Sequence, residues 1–282
     1  MVFCDCAFSQ PGGKSVPVGQ MAKEGFEPEF LRAMCRSLTG RGIRATLVDL
    51  RAEALFTGTS AEWMRNCWGS TEAVVLVIHD GANALTGDPT MADTMLRELQ
   101  ALHFDETTLM YGKVVTARSR RNVHFAHEGR SEDMANGQNT VVPWSGVPAN
   151  AKCLGALTRE FGAPDVQSAV ANYYPDPKKC GIGWHGDAER RQTIMVRLGA
   201  GSDVRPIHFL WCSLGKGIAA PITIELKHGD VMIPCAKAVG TDYRTQTRPT
   251  VRHGTGYPSG TSVLRTPPAV ARPAKKRGRE DA

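Results

Sequence analysis

The sequence has no C-x-x-C pair, no internal repeat, and no apolar run near the roughly 18 residues that a membrane span needs. The first absence argues against a zinc ribbon. Eight cysteines (Cys4, Cys6, Cys35, Cys67, Cys153, Cys180, Cys212 and Cys235) are scattered along the chain. The start, MVFCDCAFSQPGGKS, lacks a basic stretch followed by an apolar one, so no secretory signal is expected. Without such a signal, a disulfide framework has little support in a chain of 282 residues. An intracellular, soluble, monomeric protein with no membrane partner is the expectation. Cys4-Asp-Cys6 has the spacing to grip a metal, but a frayed terminus is the simpler reading.

What is present fits a folded protein. Hydrophobic residues make up 41% of the chain, enough for sizeable cores and too many for global disorder. The net charge of +6 permits nucleic-acid binding without establishing it, so the placement of charge matters more than the total. One basic cluster lies at Lys113, Arg118, Arg120 and Arg121. Another is the C-terminal PAKKRGREDA, whose composition suits a nuclear address, a nucleic-acid tether or a merely solvated end.

Four regions are expected. Residues 1–27, rich in Gly, Pro and Lys and without periodicity, read as a flexible arm. Residues 28–107 alternate helix and strand: Phe30, Leu31, Met34 and Leu38 share a helical face ahead of Gly40, 45–50 and 73–78 are strand-like, and 60–68 and 91–102 are helical. Over 108–266, short β-type runs separated by Gly, Pro and Asp point to an antiparallel sandwich or jelly roll, interrupted by a helix near 149–160. Residues 267–282 read as a basic, disordered tail. The fold class is therefore α+β: a jelly-roll domain preceded by an α/β region.

The chemistry concentrates in NYYPDPKKCGIGWHGDAE, residues 172–189. On a strand, side chains alternate with period two, so His185 and Asp187 of H-G-D face one side. An imidazole and a carboxylate on one face supply two of the three ligands of a 2-His-1-carboxylate triad. A second copy, His228-Gly-Asp230, has only His253 downstream and too little chain between for several strands; it reads as a tight turn between ITIELK and VMI. His185 precedes His253 by enough chain for four or five strands. His253 is therefore the expected third ligand, as the only histidine beyond residue 228.

Asn172-x-Tyr174, H-G-D at 185–187 and L-x-H-G-D-V at 226–231, preceded by Gly112-Lys113, Arg118 and Trp144-Ser145-Gly146, resemble the motif order of AlkB-type dioxygenases over about residues 108–265. The stretch from Lys227 to Gly256 is most similar to a divergent branch of that family found in large DNA viruses and some microbes. The resemblance implies a double-stranded β-helix, Fe(II), 2-oxoglutarate and O₂, and oxidative demethylation of alkylated bases in DNA or RNA. It implies His185, Asp187 and His253 as iron ligands, and Asn172 and Tyr174 as hydrogen-bonding partners of 2-oxoglutarate. For the far carboxylate of 2-oxoglutarate, which a guanidinium fork suits, it implies Arg265, with Arg252 the rival and Arg248 more remote. The window where better-known members carry the distal histidine here reads Asp242-Tyr243-Arg244-Thr245. Lys113, Arg118, Arg120 and Arg121 are candidate phosphate contacts. Tyr111, Phe125, Trp144 and Trp184 are the aromatics near the motifs that a base flipped out of its stack could meet. An inactive jelly-roll module that binds nucleic acid or a partner, and an oxygenase acting on a protein or small molecule, are the alternatives.

Overall fold

The computed structural model describes residues 1–7, 16–52, 71–110, 112–176, 178–199, 205–245 and 248–256. In chain order the strands are β1 (Val2–Cys4), β2 (Cys6–Ala7), β3 (Val18–Gly19), β4 (Ala45–Asp49), β5 (Val74–Ile78), β6 (Thr107–Met110), β7 (Lys113–Thr116), β8 (Arg121–Ala126) and β9 (Val141–Pro143). They continue with β10 (Ser168–Tyr173), β11 (Ile182–His185), β12 (Thr193–Val196), β13 (Ile207–Ser213), β14 (Lys216–Gly217), β15 (Ile222–Ile224), β16 (Val231–Pro234) and β17 (Thr250–Thr255). The helices are α1 (Pro28–Gly40), α2 (Gly81–Thr86), α3 (Met91–Gln100), α4 (Pro148–Glu160) and α5 (Ala236–Val239). The architecture is α+β and mostly sheet.

An eight-stranded sheet runs β4-β5-β16-β12-β1-β10-β8-β9, antiparallel except at the β8–β9 edge. β5, the run VVLVI, is buried at every position because β4 and β16 flank it and both of its faces are covered. Period-two alternation sorts the middle of this sheet. Phe3, Val123, Phe125, Ala169, Ala171 and Ile194 join the large core, while Val2, Cys4 and Val170 form a smaller cluster on the opposite face. A second sheet runs β11-β17-β13-β14, with β15 also on β13. α1 packs on β4 and β5, turning Leu31 and Leu38 inward, and Pro28 begins it where a missing N–H costs nothing.

Two expectations change here. Residues 1–7 are not part of a free arm: β1 is a central strand, with Val2 opposite Val170 on one side and Met195 on the other. Cys4 and Cys6 are buried, not frayed. The expected boundary at 107/108 is no seam either, because β5 pairs directly with β16. The expected helix at 60–68, Cys67, the strand-like run ending at Arg265 and the basic tail lie outside the described residues. Among the described residues, no helix is long and apolar enough to cross a membrane.

His124, on β8, is 1% exposed, and its Nδ1 has no hydrogen-bond partner among the described residues. Burial, reinforced by Arg190, Arg130 and Arg120, pushes its pKa down to about 3. Below about 6.5 the unfolded chain takes up a proton that the folded chain refuses, so this contribution is complete above that pH and is lost as pH falls toward 3. Relative to a His124→Gln variant, the wild type should lose about 2 kcal/mol of stability between pH 7 and 5. Urea titrations at the two pH values test this, and parallel losses in both proteins would refute it.

Candidate metal centre

β17 runs antiparallel between β11 and β13, which places His185 opposite His253 across the β11–β17 ladder and Phe209 opposite His253 on the other side. Directly opposed residues on one face bring their side chains close together. The two imidazole centroids are accordingly 4.3 Å apart. Asp187 lies just past the end of β11, where its backbone N–H donates to the Val239 carbonyl at 3.1 Å. The H-x-D pair is therefore half strand and half loop, not wholly on a strand as expected. Its central residue must be small: a Cβ at Gly186 would meet the Gly240 carbonyl and lie 2.6 Å from the Cβ of Tyr243.

His185 Nε2 is 3.5 Å from Asp187 Oδ1, and His253 Nε2 is 3.5 Å from Asp187 Oδ2. One ligand atom from each of the three residues lies within 4.8 Å of the others. His185 Nδ1 lies 2.8 Å from the Gly183 carbonyl, which can only accept, so Nδ1 carries a proton there and Nε2 is directed toward Asp187. Burial, then the neighbouring His185 ring, pushes the His253 pKa down and keeps that imidazole neutral. At Asp187 burial opposes ionisation, but Arg190, His253 and His185 outweigh it and hold the carboxyl well below the usual carboxylate range. Two imidazoles and an ionised carboxylate whose ligand atoms converge form a donor set that can hold a divalent metal ion.

The triad lies on the wall of a cavity of about 1060 Å³ that reaches Asn172, Tyr174, Trp184 and Glu189, together with Arg120, Arg190 and Arg197. Asn172 is the penultimate residue of β10, and Tyr174 lies just past the strand with Arg205 over its ring, the guanidinium carbon 5.1 Å from the centroid. Burial pushes the Tyr174 phenol up, against the opposing pull of Arg120, Arg197 and Arg205. Arg205 also donates to the Cys180 carbonyl and, at 3.0 Å, to that of Asp176, which pins the loop between Tyr174 and the metal strand.

Several candidate residues lie elsewhere. Arg252 neighbours His253 on β17 and so points to the opposite face, toward Tyr243, whose ring centroid is 5.8 Å away. Arg248 pairs with Asp242 at 3.2 Å. Arg265 and Tyr111 lie outside the described residues. The basic cluster splits: Lys113 and Arg118 are exposed, and Arg121 pairs with Glu106 at 2.6 Å. Arg120 instead turns into the cavity, within electrostatic reach of Tyr174, Asp187 and Glu189. Phe125 is a core residue stacked on Trp144, whose indole N–H donates to the Gln167 carbonyl. His228-Gly-Asp230 is a turn: Asp230 accepts from the backbone N–H groups of Lys227 and Asp80, and His228 Nδ1 accepts from that of Gly199.

Sequence reasoning missed Arg190, Arg197 and Arg205, and named Arg120 only as a candidate phosphate contact. Only Arg190 carried a usable signal, since it stands three positions after Asp187. The others reach the site by contacts distant in sequence.

Fold and cluster together define an α+β protein with a half-buried three-residue candidate metal centre opening on a cavity. No family model matches the chain. It is 31% identical over 260 residues, spanning 91% of this chain and 94% of the relative, to an uncharacterized protein of Acanthamoeba polyphaga mimivirus. The chain belongs to the same family as that viral protein.

Proposed function

We propose that this chain is an Fe(II)- and 2-oxoglutarate-dependent oxygenase of AlkB type that demethylates alkylated bases in nucleic acid. The observation that carries the reading is the convergence of His185, Asp187 and His253 on a cavity shared with Asn172, Tyr174 and three guanidiniums. A facial triad of this composition leaves open positions on the metal. Two largely antiparallel sheets, with both histidines on neighbouring strands of the smaller one, are also compatible with a double-stranded β-helix.

When bound, iron supplies the oxidising chemistry that couples decarboxylation of 2-oxoglutarate to hydroxylation of a C–H bond, and the protein supplies binding and orientation. His185, Asp187 and His253 would hold the metal. Asn172 and the Tyr174 hydroxyl, which line the same cavity, would hydrogen-bond the co-substrate. Arg120 and Arg197 offset its negative charge, which an apolar cavity alone would repel. Arg252, facing away, has no part.

The test is succinate and formaldehyde formation from methylated single-stranded oligonucleotides with Fe(II) and 2-oxoglutarate. Wild type and Arg252→Ala should turn over within about twofold of each other, while His185→Ala should lose turnover by more than about 100-fold. Succinate without formaldehyde from any oligonucleotide would move the substrate to a protein or small molecule. Absence of both metal uptake and succinate would leave a binding module.

A further inference from the structure

Arg190 is an unusual neighbour for a metal ligand. Its side chain is only 7% exposed, and a buried guanidinium is costly unless matched by charge. The matching groups are Glu189, whose Oε1 lies 2.9 Å from Nη2, and Asp187, whose Oδ2 lies 3.6 Å from Nε. Nη1 approaches Cys4 Sγ at 3.8 Å, so the same residue ties the central strand β1 to the metal loop. Nε itself makes no hydrogen bond among the described residues, and the side chain lines the cavity.

The geometry of Asp187 gives this contact a consequence. A carboxylate can bind a metal through one oxygen or through two. Two-oxygen binding beside two imidazoles would fill four positions of an octahedral ion and leave two. One-oxygen binding leaves three, enough for a chelating co-substrate and a further small ligand. Oδ2 lies between Arg190 Nε at 3.6 Å and His253 Nε2 at 3.5 Å, while Oδ1 faces His185 Nε2 with no cation against it among the described residues. A positive charge fixed at Oδ2 competes with the metal for that oxygen and repels an ion that moves toward it.

We infer that Arg190 is a positioning residue that confines Asp187 to one-oxygen coordination and so preserves the third open position at the metal. The inference rests on the proposed metal centre and deepens it.

Co(II) is the probe, because its visible absorption reports coordination number without turnover. Wild type, Arg190→Met and Arg190→Lys are each titrated with Co(II) alone and then with 2-oxoglutarate, after urea unfolding has shown which variants are folded. Arg190→Met should still bind Co(II), but with altered visible bands, and 2-oxoglutarate should perturb those bands at least about tenfold more weakly than in wild type. Arg190→Lys, which keeps the charge without the fork, should fall between the two and decides the matter if the methionine variant does not fold. Spectra and 2-oxoglutarate responses indistinguishable from wild type in the folded variants would overturn the role of Arg190 while leaving the metal centre standing. Failure of the wild type to bind Co(II) would overturn both.

Discussion

His253→Ala should abolish high-affinity metal uptake, lowering Co(II) or Fe(II) affinity by more than about 100-fold, since outer partners of metal ligands alone are worth about 10–100-fold. The expectation follows from the donor count. His185 Nε2 and Asp187 would remain, but two donors on the wall of a cavity that also carries three guanidiniums cannot repay the dehydration of a divalent ion. The effect on turnover should follow the effect on binding. His228→Ala is the informative companion, because His228 begins the other H-x-D in the chain. Its Nδ1 accepts from the Gly199 N–H and its Nε2 lies 3.2 Å from Asp93, so it is committed to the turn before β16. That variant should keep wild-type metal affinity. Equilibrium dialysis of the three proteins decides: equal loss in both variants, or in neither, would remove the basis for assigning His253 to the metal.

The two H-x-D copies show what was legible and why. Short-range geometry separates them, because a distal histidine on a much later strand can close on His185 but not on His228. The same logic was available for Arg252: a residue adjacent to His253 on a strand must face away from it, and period two alone demotes it as a co-substrate ligand. The sign of Arg120 was harder to read. Arg118, Arg120 and Arg121 look alike in sequence, and only the start of β8 at Arg121 fixes which of them turns inward. β5 was legible because five consecutive apolar residues have few other uses. β1 was not. Its three residues carry no pattern, and its partners Val170 and Met195 lie far along the chain, so nothing local distinguishes a central strand from a terminal arm.

That missed strand leads to the second large effect. Asp5, fully buried directly after β1, should be among the most costly side chains to remove: Asp5→Ala is expected to lose about 3–5 kcal/mol in urea or guanidinium unfolding. Its carboxylate accepts from three backbone N–H groups, those of Ala22 at 2.7 Å, Arg191 at 3.0 Å and Gln192 at 3.3 Å. Truncation leaves those donors without an acceptor in a site that water does not readily reach, so desolvation is added to the lost charge-assisted bonds. Asp5→Asn preserves shape but replaces one acceptor oxygen by a donor, and should cost about half as much. Because residues 191 and 192 directly follow the loop that carries Asp187 and Arg190, the destabilised variant should also bind Co(II) more weakly than its residual folded fraction explains. A loss below about 1 kcal/mol for Asp5→Ala would mean that the carboxylate does not anchor the metal loop, and that the two ends of this contact are held by the sheet alone.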